Sequence, residues 1–372
     1  MPVRVLIVDD SALVRRSLTE GLSADPGIEV VGSAIDPYVA RDKILQLNPD
    51  VLTLDIEMPR MDGLTFLKVL MKHHPMPVIV MSSLTTAGSA IALEALQAGA
   101  VDVVAKPGSA YAAAEEIGKL AEKIKAVARA RVRAAPGSSS AAAATATAAA
   151  ATAGAPVTVA SVTKPPPLVR GGRRYAASAL ILIGASTGGT EAIKTVLTAL
   201  PSDLPGILIV QHIPAQFSLA FANRLNELSR LEVREAKNGD VVAPGLVLIA
   251  PGGFHIIPRW VGSHYVLTTN TGPTVHHQRP AVDVLFDSAA RAGAGPFALA
   301  VLLTGMGADG AAGMLTLRQA GATTFAQNEE SCVVFGMPKE AIQLGAAQRV
   351  LSLDQIAPAI DRFANSIAQI RG

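Results

Sequence analysis

Residues 179–200 read ALILIGASTGGTEAIKTVLTAL. An apolar run closes at Ile183, small residues fill Gly184 to Gly189, and apolar residues return at helical spacing at Ile193, Val196, Leu197 and Leu200. The pattern is strand, tight turn, helix. Inside the turn, Gly184 to Gly188 spell G-x-S-x-G, which lifts the Ser186 hydroxyl out of the backbone at the carboxyl end of a strand. The helix that follows points its free N–H groups and positive end at the same spot. No lysine follows the glycines and the G-x-G-x-x-G spacing is absent, so neither the phosphate-loop nor the dinucleotide pattern is met. A glycine-rich turn of this kind also serves plain close packing. A reactive serine needs a base and an orienting acid, and the rest of the chain must supply them.

Outward from this turn, strand and helix patterns alternate through residues 179–372. GILIVQHIP reads as a strand ending at His212. FHIIPRW and HYVLTTN read as a hairpin, and FALAVLLTG as a buried strand running into the second glycine-rich turn, Gly305 to Gly310. ATTFAQN reads as the last strand. This is a doubly wound, mostly parallel α/β domain. Strand ends converge at the ligand edge of such a sheet, so Ser186, His212 and Asp309 can meet there as nucleophile, base and orienter. Singly, His212 reads as a structural histidine and Asp309 as a turn or cap residue. His255 is the rival base; His276 and His277 lie in a loop. No i,i+4 ligand pair supports a metal, and none is expected for hydrolysis.

Residues 1–125 carry five strand patterns interleaved with helices, a flavodoxin-like parallel sheet. Asp9 and Asp10 end the first strand, Asp55 the third, Ser82 the fourth and Lys106 the fifth. Three carboxylates in one cleft repel one another, and Mg²⁺ would offset that. With Mg²⁺ and a lysine beside it, Asp55 becomes a phosphoryl acceptor.

This region resembles the response-regulator receiver domain. The resemblance implies Asp55 as phosphorylation site, with Asp9, Asp10, Asp55 and the Glu57 carbonyl on the metal, and Ser82 and Lys106 on the phosphoryl oxygens. Val103 stands where many receivers carry an aromatic switch residue. With GASTGGTEAI, QHIP, APGGFH, HQRPAVDVLF, LTGMGADGAAGM and AQNEESCVVFGMP, the whole chain resembles the CheB family of chemotaxis protein-glutamate methylesterases and glutamine deamidases. That resemblance implies Ser186 as nucleophile, His212 as base and Asp309 as orienting acid, with Thr187 and Met306 supporting the oxyanion. It implies methylated chemoreceptors as substrate, a histidine kinase as phosphodonor and an unphosphorylated receiver lying over the active site.

Between the two domains, residues 126–178 read as an Ala/Pro-rich flexible linker. They hold seven basic and no acidic side chains, against 12 and 16 in residues 1–125 and 13 and 14 in residues 179–372. The excess charge thus lies outside both folded regions, and no helix-turn-helix or zinc pattern is present, which counts against nucleic-acid partners. The single cysteine, Cys332, forbids an internal disulfide and favours a reducing, cytoplasmic setting. No segment reads as a signal peptide or a membrane-inserted span. The rival class is a non-enzymatic regulator that binds through its glycine-rich turns.

Overall fold

The computed structural model describes residues 1–83, 85–106, 110–128, 164–165 and 173–368; most of the stretch read as linker lies outside them. The first domain runs β1 (Val3–Val8), α1 (Ala12–Ser23), β2 (Ile28–Ala34), α2 (Pro37–Leu47), β3 (Val51–Asp55), α3 (Gly63–His73), β4 (Val78–Ser82), α4 (Thr86–Gln97), β5 (Asp102–Ala105) and α5 (Ala110–Val127). Its five strands pair in parallel in the order β2-β1-β3-β4-β5. Every residue of β3 and β4 is buried, because helices cover both faces of the sheet. Side-chain caps start the helices: Ser11 accepts from Val14 N, and Asp36 accepts from Tyr38 N and Val39 N.

The second domain runs β6 (Leu180–Ala185), α6 (Gly189–Ala199), β7 (Gly206–Gln211), α7 (Ala215–Leu228), β8 (Glu232–Glu235), β9 (Leu246–Ile249), β10 (His255–Val261), β11 (His264–Asn270), α8 (Val282–Arg291), β12 (Ala298–Leu302), α9 (Ala311–Gln319), β13 (Thr323–Gln327), α10 (Met337–Gln343), β14 (Arg349–Leu351) and α11 (Leu353–Ile367). Seven strands pair in parallel in the order β14-β13-β12-β6-β7-β9-β8, and β10 and β11 form the separate antiparallel hairpin. One expectation is corrected: ATTFAQN forms β13, and the last strand is β14. That strand has three residues at the sheet edge with only Leu351 buried, too short and exposed to leave an apolar signature. From β6 the chain winds outward in both directions, so the crevice between the ends of β6 and β12 is the topological switch point.

Arg173 and Tyr175, inside the stretch read as linker, are tied to the second domain. The Arg173 guanidinium pairs with Asp203 (2.7 Å) and Asp361 (2.9 Å), and Tyr175 donates to the Asp203 carbonyl (2.8 Å). The two domains share one continuous apolar cluster. It passes through Leu93 and Leu96 of α4, which line a cleft with Lys194 of α6 and with Phe221 and Leu225 of α7.

Candidate active site

Ser186 leaves β6 in a turn that neighbouring strands fix through the backbone. Its N–H donates to the Thr304 carbonyl (3.0 Å), just past β12, and its carbonyl accepts from Gly189 N (2.7 Å) as α6 begins. Gly188, at φ +76°, caps α6 without a side-chain hydrogen bond, so beyond Gly189 the first N–H groups of the helix have no capping side chain. Gly305 permits the close approach of the two strand ends: a Cβ there would lie 2.8 Å from Ser186 Cβ and 2.3 Å from Met337 Sδ.

His212, just past β7, is anchored by its N–H to the Ala185 carbonyl (3.0 Å). Its Nε2 lies 2.7 Å from Asp309 Oδ2. A carboxylate only accepts, so Nε2 carries the proton and Nδ1 is left as the basic nitrogen. Asp309 is almost fully buried. Its Oδ2 also accepts from Val282 N (2.7 Å) and its Oδ1 from Asp283 N (2.9 Å), the first two N–H groups of α8. Burial alone would raise its pKa; the hydrogen bond and charge of His212, with those two N–H groups, outweigh it and hold the carboxyl below the ordinary 3.8. The structure therefore brings Ser186, His212 and Asp309 to one sheet edge. Among the described residues the Ser186 hydroxyl has no hydrogen-bond partner. The Met306 N–H likewise has no described acceptor, the condition for a donor kept for an oxyanion.

The rival base fails on geometry. His255 Nδ1 accepts from Ala281 N (3.2 Å), so its Nε2 carries the proton and donates to the Pro273 carbonyl (2.9 Å). Both ring nitrogens are occupied and the ring supports the start of α8. His276 reaches Asp283 Oδ2 (3.1 Å) rather than the serine.

In the first domain Asp9, Asp10 and Asp55 each offer a carboxylate oxygen within 4.8 Å of the others. Lys106 Nζ lies 2.6 Å from Asp55 Oδ2 and 3.3 Å from Asp9 Oδ2. Burial, then the Asp55 charge, raise the Asp9 pKa above 3.8. Asp9 Oδ2 is buried and its one described partner is the Lys106 ammonium, too little for three clustered carboxylates, so the donor set fits a hard cation. Burial lowers the Lys106 pKa, but its bonds to Asp55 and Asp9 outweigh that and leave it raised. Asp55 Oδ1 accepts from Glu57 N (2.9 Å), and Ser82 Oγ donates to the Ser83 carbonyl (3.2 Å).

Comparison with known proteins matches residues 181–360 to the CheB methylesterase family and residues 5–117 to the response regulator receiver domain. The chain is 53% identical over 361 residues to protein-glutamate methylesterase/protein-glutamine glutaminase 2 of Syntrophus aciditrophicus, covering 97% of this chain and 99% of that one. The chain belongs to the CheB methylesterase family. A second relative of the same enzyme name, number 4 of Anaeromyxobacter dehalogenans, is 53% identical over 364 residues, covering 97% and 95%. The crystal structure of the Thermotoga maritima CheB methylesterase catalytic domain is 38% identical, with a TM-score of 0.48, and covers 50% of this chain and 97% of its own.

Three further residues of this CheB-family chain escape a sequence reading. Gln211 Nε2 donates to the carbonyls of both Ser186 (2.8 Å) and His212 (3.1 Å), tethering the two backbones. Thr304 Oγ1 donates to the Thr187 carbonyl (3.0 Å) and accepts from Val333 N and Val334 N. Asp102, at the start of β5, accepts from Thr187 Oγ1 (2.8 Å) and so ties the receiver to the residue after Ser186. Position within QHIP and LTG was the only available signal for the first two; nothing flagged Asp102.

Because the folded pKa of Asp309 lies below 3.8, its carboxylate contributes stability above that pH and loses it as pH falls through the lower folded value. Asp309→Asn is expected to cost about 2 kcal/mol at neutral pH. Thermal melts should show the gap from the parent closing in acid; a gap that is the same at both pH values would refute this.

Proposed function

We propose that Ser186, His212 and Asp309 hydrolyse glutamyl γ-methyl esters on chemoreceptors and, by the same route, deamidate specific receptor glutamines. Ser186 Oγ attacks the ester carbonyl while His212 Nδ1 takes its proton. Asp309 holds the ring and balances the imidazolium. The oxyanion rests on the Met306 N–H of the Gly305–Gly310 turn, beside the turn that carries Thr187, a contribution of roughly 3–4 kcal/mol per donor in other enzymes. The imidazolium returns its proton to the leaving methanol; water, activated by the same nitrogen, then releases the glutamate carboxylate. An amide is the poorer leaving group, so demethylation outpaces deamidation. The observation that carries this reading is the 2.7 Å His212–Asp309 pair, one strand away from a serine in a G-x-S-x-G turn. Its test is methanol release from methylated receptor.

Asp55 accepts a phosphoryl group from a histidine kinase. Asp9, Asp10, Asp55 and the Glu57 carbonyl would hold Mg²⁺, which supplies charge neutralisation for that transfer. Lys106 and Ser82 contact the phosphoryl oxygens. A cytoplasmic location belongs to this reading; among the described residues no helix is long and apolar enough to cross a membrane. Replacing Asp55 with asparagine should abolish stimulation of methanol release by an acyl-phosphate donor with Mg²⁺. Stimulation that survives would place the phosphorylation site elsewhere.

Unphosphorylated, the receiver acts as an inhibitory lid. Two contacts support this: Asp102 on Thr187, and α4 against α6 and α7. The first turn of α4 lies at the phosphorylation site, where a Cβ on Gly88 would come within 2.9 Å of both Ser82 Oγ and Glu57 Oε1. The other end of α4 lies on the catalytic domain. A phosphoryl group adds about −1.5 to −2 charges at one end of a helix whose far end holds the lid.

A further inference from the structure

The starts of α8 and α9 are capped by one another. Neither helix has a side-chain cap from its own N-cap residue, Ala281 or Gly310, and alanine is among the poorest residues for that position. Instead the Asp309 carboxylate, just ahead of α9, takes the first two N–H groups of α8. In return the Asp283 carboxylate, in the first turn of α8, takes Gly313 N (2.7 Å) in the first turn of α9. The exchange closes a ring through both helices, and His212 hangs from one of its corners.

We propose that Asp283 is a positioning residue for the esterase reaction: it fixes Asp309 against His212 through this exchange and places a second negative charge behind the imidazolium that His212 becomes. The inference rests on the reading of Ser186, His212 and Asp309 given above.

An acid in the first turn of a helix is ordinarily a favourable partner for its dipole and nothing more. Here the carboxylate turns away from its own helix. Asp283 is 6% exposed and lies beside Asp309, an arrangement in which ionisation is costly. Burial, opposed by Gly313 N and reinforced by the Asp309 charge, raises its pKa above 3.8. An asparagine would accept the same Gly313 N–H at no such cost. What asparagine lacks is the charge, and the charge lies within 4.8 Å of the Asp309 carboxylate on which His212 is held. His276, about half exposed, holds the outer oxygen at 3.1 Å.

Other ionisable groups among the described residues stand around this junction. Asp309 comes from the start of α9, His276 from the loop before α8 and His255 from β10, where both its nitrogens are occupied. On the receiver side stand Asp102 and its partner Lys123, 2.7 Å apart, both on the lid that activation removes.

The test is the pH profile of methanol release by the full chain carrying Asp283→Asn, activated with an acyl-phosphate donor and Mg²⁺. Removing the carboxylate makes protonation of His212 less favourable, so the acid limb of kcat/KM should move to lower pH, by about one unit. Above that limb kcat should fall about tenfold, with KM within twofold of the parent. A cap that acts only through its shape would leave the limb where it is. The proposal is overturned by a limb that stays or moves upward, by a rate within twofold of the parent, or by a variant that fails to fold, which would assign the carboxylate to stability. Failure here is distinct from failure of the underlying reading, which would appear as a Ser186→Ala or His212→Ala chain that still releases methanol.

Discussion

Ser186→Ala is expected to reduce methanol release to the assay background while receptor binding and receiver phosphorylation persist. Removing the equivalent hydroxyl from another serine hydrolase costs roughly 10⁶-fold. The loss should be of that kind here because the residues act as a unit: without Oγ, the proton-accepting nitrogen of His212 and the carboxylate behind it have nothing to activate. His212→Ala added to Ser186→Ala should therefore cost little more. Binding should survive because the turn is held by its backbone. Ser186 N donates to the Thr304 carbonyl, the Ser186 carbonyl accepts from Gly189 N, and Gln211 spans to His212 from below. None of these uses the hydroxyl. The outcome separates an esterase from a regulator that merely docks on receptors. A variant that keeps more than a small fraction of parental methanol release would end the nucleophile assignment.

Apolar runs and strand ends made the architecture legible, and with it the sheet edge that carries Ser186, His212 and Asp309. β3, β4, β6 and β7 are buried along their whole length, so each reads as a mainly apolar stretch, and the chemistry at its carboxyl end stands out. The illegible parts share a cause, since each depends on which partner a group meets. His255 and His212 both follow or begin strands, and only their partners, Ala281 N–H on His255 Nδ1 and the Asp309 carboxylate on His212 Nε2, tell the two rings apart. Asp283 reads as an ordinary first-turn acid until Gly313 N is seen on it. Asp102 and Thr187 lie 85 residues apart on two domains, beyond the reach of any spacing rule.

That last pair carries the second large effect. The unphosphorylated full chain bearing Asp102→Ala should release methanol about tenfold faster than its parent, because charge-assisted hydrogen bonds are worth about 1.5–3 kcal/mol and the closed lid loses one to Thr187. The fragment 170–372 should be faster still, since it also lacks the α4 contact with α6 and α7; it retains Arg173 and Tyr175, which fasten the start of the catalytic domain to Asp203 and Asp361. Phosphodonor should add less to Asp102→Ala than to the parent, and both should approach the same ceiling, because the substitution alters closure and leaves Ser186, His212 and Asp309 untouched. Thr187 is 2% exposed, and Val333 packs on the receiver core while lying against Gly188, so in the proposed closed state the receiver covers the turn that carries Ser186. Equal rates for parent, Asp102→Ala and fragment would mean that the receiver rests on this face without blocking it. Activation would then have to act by speeding chemistry at an already open site, and the stimulation by phosphodonor would need another cause.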